Sequence, residues 1–141
     1  MSWDATLYAV TDVTECHSCG QHLPEPKRER DEIGWWNYTH NTNDMIAAAY
    51  EAETGGKTEP CGGSLGGVIG PAWWYRLDGT SGADGKAYLG QIIAGLEADP
   101  DRYRAMNPTN EWGSYGGLLE LLRIMRDHVP DDQACEWSVS G

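Results

Sequence analysis

Residues 3–13 read WDATLYAVTDV, and the fold turns on them. Trp3, Ala5, Leu7, Ala9 and Val13 fall on one face at a period of two, with Thr, Tyr and Val between them. That alternation predicts a half-buried β-strand. The other end of the chain, ACEWSVS at 134–140, alternates in the same way: Cys135, Trp137 and Val139 against Glu136 and Ser138. Two terminal strands in one small domain are expected to share one sheet.

Helical signals fill the space between them. Thr42, Asn43 and Asp44 offer N-caps before MIAAAYEAE, whose apolar stripe is Met45, Ile46, Ala49 and Tyr50, and Gly55-Gly56 ends it. A second helix is expected from near Asp84 to about Ala98, with Tyr88, Leu89, Ile92, Ile93 and Leu96 on one face and Pro100 as its stop. Gly90 and Gly95 weaken it by about 1 kcal/mol each relative to Ala and mark close packing against a neighbour. The third helix is capped by Ser114, carries Tyr115, Leu118, Leu119, Leu122 and Met125, and is ended by Pro130. Residues 24–32, PEPKRERDE, read as a solvated loop or arm, WWNYTHN at 35–41 as a β-prone start, and AWWYRL at 72–77 as a short strand. Seven of the 18 glycines fall within 54–72, which predicts a loop. The expectation is an α+β fold: a small antiparallel sheet including both terminal strands, packed with about three helices. It is one domain, 1–141, with a charged, Cys-containing arm at about 14–33 and a Gly-rich loop at about 54–72.

Composition narrows the function. The chain of 141 residues has a net charge of −12. Such a surface repels phosphate backbones, so nucleic-acid binding is not expected, while docking on a basic partner is compatible with it. No run of about 18 apolar residues exists, so no membrane span is expected. The start, MSWDATLYAV, has neither a positive n-region nor an apolar h-region, and no signal peptide is expected. Seven Trp and seven Tyr stand beside no Phe. Trp and Tyr carry polar handles that need partners when buried, and using only these aromatics hints at a ligand pocket or an interface.

Three constellations could carry chemistry. In CHSCGQH at 16–22, Cys16 and Cys19 form a C-x-x-C step followed by glycine, and His22 and Cys61 would complete four ligands for one structural zinc. Free or redox-active thiols, or a disulfide, are the other readings, and Cys135 is a small buried residue of the terminal strand. In WWNYTHNTND at 35–44, Asn37, Tyr38, His40 and Asn41 gather where a strand meets a helix N-terminus, a place suited to anions or carbonyls. The plainer alternative is that Asn41 to Asp44 cap the helix and His40 satisfies a buried turn. In YRAMNPTNEWGSYGG at 103–117, Asn107, Asn110, Trp112 and Tyr115 form either a binding loop or a well-specified corner. No P-loop, G-x-S-x-G, H-E-x-x-H, EF-hand or dinucleotide fingerprint is present.

The order NYTHN, Met45, PDRYRAMNPTNEWGSYGGLLELL and a terminal SVS resembles a small family of uncharacterised proteins from actinobacteria, their phages and prophages. The matching blocks are 37–45 and roughly 100–140; the C-x-x-C arm and the glycine loop with Cys61 depart from the pattern. The resemblance implies a soluble, cytosolic, phage-associated protein, and brings no activity with it. The expected function is therefore that of a binding protein, cytoplasmic in the host cell. It would sequester a small molecule or block a host defence protein, with Asn37, His40 and Asn41 hydrogen-bonding and Trp112 or Tyr115 stacking. The alternatives are a small enzyme with His40 as general base and Asp44 or Glu111 as its partner, or a virion structural or assembly protein. Homo-oligomerisation is compatible with each of them.

Overall fold

The structure, a computed structural model, describes residues 2–16, 18–55 and 73–140, with nothing said of the Tyr75 side chain. The N-terminal alternation forms β1 (Ser2–Glu15), which turns back into β2 (His22–Thr39), and the chain ends in β3 (Cys135–Ser140). The sheet is antiparallel in the order β2-β1-β3, so both terminal strands lie side by side as the alternation predicts. Pairing of β1 with β3 runs from Asp4↔Ser140 to Ala9↔Cys135; pairing with β2 runs from Ser2↔Thr39 out to Glu15↔His22.

Between β2 and β3 come α1 (Asn43–Thr54), the single turn α2 (Trp74–Leu77), α3 (Gly82–Ala98), the short α4 (Pro100–Arg104) and α5 (Tyr115–Asp127). Trp3, Ala5 and Leu7 of β1 and Trp137 of β3 are fully buried under them. The helical stripes meet this face with Met45, Ile46 and Ala49 from α1, Leu89, Ile92 and Leu96 from α3, and Leu118, Leu122 and Met125 from α5. At Gly95 the α3 backbone lies so close to the Ala49 carbonyl of α1 that a Cβ would not fit, whereas Gly90 faces open space. Of Gly90 and Gly95, Gly95 therefore marks a close approach, as Gly82 and Gly85 do against Cys135 and Trp137 at the start of the helix.

The polar handles of three buried aromatics cross-link the core. Trp73 Nε1 donates to Asn43 Oδ1 at 3.0 Å, Tyr88 Oη to the Trp73 carbonyl at 2.9 Å, and Tyr115 Oη to the Leu96 carbonyl at 2.8 Å. Burial holds the Tyr88 phenol well above its ordinary range, so it stays protonated as a donor. The free edge of β3 is covered by the turn before α3, where Trp137 N donates to Thr80 O at 2.9 Å and Val139 N to Asp78 Oδ1 at 2.9 Å. Edges left bare invite pairing with other chains, and this cover removes one of the two.

Two local expectations are corrected. Residues 24–32 are not a loop but part of β2, because β1 supplies a pairing partner where no core face exists. Residues 74–77 are helical and not a strand: Trp73 and Trp74 are both buried, a placement that alternation cannot give to adjacent residues. As expected, α3 ends at Ala98 just before Pro100; the proline also opens α4, with Asp99 Oδ1 accepting from Arg102 N at 3.4 Å. The glycine loop at 54–72 lies outside the described residues beyond Gly55.

Candidate functional site

The chain leaves β2 at Thr39, makes a single 3-10 turn over His40–Thr42 and enters α1. Thr39 Oγ1 accepts from Asn41 N at 3.2 Å, and Thr42 Oγ1 donates back to the Thr39 carbonyl at 3.2 Å. Thr39, and not the run from Asn41 to Asp44, therefore supplies the cap of this corner. Asn43 is buried and spent on Trp73.

The second loop approaches from the start of α5. Asn110 Oδ1 accepts from Trp112 N at 3.0 Å, closing a turn through its own backbone. Glu111 takes φ 63° and Gly113 φ 93°, both in the left-handed region. Gly113 has a second reason to lack a side chain: a Cβ there would come within 2.6 Å of the Thr39 methyl. Ser114 Oγ accepts from Gly117 N at 3.0 Å and caps α5.

These two loops touch. Asn41 Nδ2 lies 3.4 Å from both Asn110 Oδ1 and the Trp112 carbonyl, and Ser114 N donates to Tyr38 Oη at 3.2 Å. Trp112 stands on this junction with 68% of its surface exposed. Asn41, Asn110, Trp112 and Tyr38 are thus brought together, as a rim on the end of the sheet.

Four expected residues are placed differently. Tyr115 is buried, its hydroxyl on Leu96, and presents no face for stacking. Asn107 accepts from Tyr115 N at 2.7 Å and orders the approach to α5. Asn37 lies on the outward sheet face and donates to Ser2 Oγ at 3.0 Å and Asp4 Oδ1 at 2.8 Å. His40 stacks on Trp74, with ring centroids 5.1 Å apart and planes within 4°. Its Nε2 is enclosed and has no hydrogen-bond partner among the described residues. Burial pushes the imidazole pKa below its ordinary value, so His40 is neutral at pH 7. Asp44 and Glu111 are exposed, and among the described residues neither is hydrogen-bonded to His40. The Trp74 partner escaped the sequence reading because 72–77 was expected to be a strand.

The cysteines divide between two places. Cys16 and Cys19 sit at the tip of the β1–β2 hairpin as free thiols. The Cys19 thiol and the amides of Cys19 and Ser18 hold the Cys16 pKa below its ordinary value. His22 pairs across the hairpin with Glu15, and no cluster of three metal-ligating side chains occurs among the described residues. Cys61 lies outside those residues. Cys135 is buried under α3, where burial raises its pKa and leaves it a packing residue.

Comparison of the chain with protein-family models, with curated proteins and with solved structures found no match. Among the described residues no helix is long and apolar enough to cross a membrane.

Proposed function

We propose that this is a non-catalytic binding protein of phage or prophage origin, acting in the host cytosol. Its rim at 39–42 and 107–114 takes hold of a small molecule or a host defence protein. The observation that carries the proposal is Trp112: an indole 68% exposed, on a turn held by Asn110 and by the left-handed Gly113. Trp is enriched among the residues that dominate interface energies. A turn already held by Asn110, Gly113 and the Tyr38 hydroxyl loses little conformational entropy on binding. Asn41 supplies a polar group beside it. The net charge of −12 favours a partner with a basic surface.

One feature supports binding over catalysis: the His40 ring is stacked on Trp74 with its Nε2 enclosed. A general base needs hydrogen-bond reach to the proton it removes, and the enclosed Nε2 offers none.

The test is retention of a host component or small molecule by the purified protein, read by native mass spectrometry and pull-down. Trp112→Ala and Asn41→Ala are expected to lose that species while melting as the parent does. Unaltered retention by Trp112→Ala would contradict the rim assignment. A turnover abolished by His40→Ala would replace binding with catalysis.

A further inference from the structure

The β1–β2 hairpin outruns the rest of the sheet. β3 pairs with β1 only up to Ala9, and from Val10 to Glu15 the hairpin continues as two strands. Six residues at about 3.3 Å each carry the tip roughly 20 Å past the last β3 pair. The ladder closes at Glu15↔His22, and residues 16–21 make the turn. Two backbone bonds fix it: Cys16 N donates to Gln21 O at 2.8 Å, and Gly20 N to Cys16 O at 2.8 Å. The second bond runs from residue 20 back to residue 16, the spacing of one helical turn. Gly20, at φ 69°, leads the chain out of that turn into β2.

That backbone decides where the two cysteines stand. In helical geometry, Cα atoms three residues apart lie about 5 Å from each other. A disulfide bridges Cα atoms about 4.4–6.8 Å apart. The closed turn therefore sets Cys16 and Cys19 at bridging separation, and both are free thiols, Cys19 exposed and Cys16 half-buried. Cys135, the other free thiol among the described residues, is buried where β3 meets Ala9, at the far end of the arm.

We propose that Cys16 and Cys19 are a dithiol–disulfide couple that exchanges with small disulfides of the glutathione class, making and breaking one covalent bond at the end of the arm. The Cys16 thiolate attacks one sulfur of the substrate RS–SR; a mixed disulfide forms and RS⁻ leaves. The Cys19 thiolate then attacks the Cys16 sulfur, the second RS⁻ leaves, and the intrachain disulfide is closed. Two electrons pass from the cysteines to the substrate, and the two thiol protons end on the two departing RSH. Excess RSH runs the same steps backward.

Access, proximity and reactivity all favour this pair. Exchange needs a thiolate within reach of its substrate, and the tip stands clear of the body at the end of the two-stranded arm. A second thiol one turn away resolves the mixed disulfide within the chain, with the advantage that any intramolecular step has over a bimolecular one. Hydrogen bonds from the Cys19 thiol and from the amides of Cys19 and Ser18 hold the Cys16 pKa below its ordinary value, which raises the thiolate fraction of the attacking group. Burial acts the other way on Cys135 and keeps it out of exchange. The couple is separate from the Trp112 rim, at the opposite end of the ladder, so each can fail without the other.

The experiment is equilibration of the reduced full chain in glutathione buffers of rising oxidised-to-reduced ratio, stopped by alkylation and read by mass spectrometry of the intact chain and its peptides. The expected product lacks two hydrogen atoms, links Cys16 to Cys19, and reverts when reduced glutathione is returned in excess. Cys16→Ser and Cys19→Ser are each expected to stop at a stable glutathione adduct on the remaining tip thiol, while melting as the reduced parent does. Cys61→Ser is expected to close the bond as the parent does. Three results would each overturn the proposal: glutathione adducts at the tip of the parent that never close, a main product linking either tip cysteine to Cys61 or to a second chain, or tip thiols left unmodified throughout.

Discussion

At one end of the β1–β2 ladder, Trp3, Ala5 and Leu7 lie fully buried beneath the helices, with Trp36 and Tyr38 beside them. At the other, residues 10–15 and 22–32 are exposed or half-buried throughout, and two arginines are among their ties to the body, with Val10 N donating to Ala134 O at 2.8 Å. Arg28 and Arg30 reach Glu136 at 2.5 and 2.7 Å, and Arg30 also lies over the Tyr8 ring at 5.6 Å. The same two strands are thus stabilised by burial at one end and by backbone pairing with surface charge at the other. Burial produces one well-ordered geometry, as at the rim; pairing alone produces an extension suited to reach. The Trp112 rim and the Cys16–Cys19 tip sit at these opposite ends.

The largest expected contrast between the two ends comes from truncating one apolar side chain in each. Trp137→Ala removes a fully buried ring and is expected to cost about 3–5 kcal/mol in urea unfolding. Val13→Ala in the arm is expected to stay within about 0.5 kcal/mol, and equal costs would erase the distinction.

The α3 glycines give a contrast of sign inside the buried end. Gly95→Ala pushes a methyl into the Ala49 carbonyl and is expected to cost about 1–3 kcal/mol. Gly90→Ala meets nothing and is expected to stabilise by up to about 1 kcal/mol, from helix propensity alone. Thermal melts of the two variants should move in opposite directions.

How much of this contrast the sequence reveals follows from the same physics. Trp3, Ala5, Leu7 and Trp137 announce themselves because one-sided burial imposes a period of two. Leu118, Leu122 and Met125 do so through the helical period. The arm has no buried face, so PEPKRERDE carries no periodicity, and its pairing is legible only once β1 is known to extend past β3. Tyr115 was expected at the rim, yet it lies on the stripe with Leu118 and Leu122, and that stripe faces the core. Asn110 and Gly113 were legible as turn formers; their contact with Asn41 and Thr39 spans about 70 residues of sequence and depends on the packing of α5.

Smaller effects sharpen the picture further. Replacing both Arg28 and Arg30 with Ala is expected to cost less than about 1 kcal/mol, because both side chains are largely solvated. The effect should shrink further in high salt. The smallest expected effect concerns pH. The folded pKa of His40 lies below its unfolded value, so between the two the unfolded chain binds more protons. Its contribution to stability is present above the unfolded pKa and falls as pH drops through that window. His40→Gln is expected to flatten the dependence of urea midpoint on pH below about 6.5.

Hydrogen–deuterium exchange on the reduced protein tests the division between the two ends most directly. Amides within 3–7, 36–38 and 137–139 that pair in the sheet are expected to exchange only through global unfolding. Those within 10–15 and 22–32 are expected to exchange orders of magnitude faster. Arm amides protected as strongly as those of Leu7 and Trp137 would contradict the account.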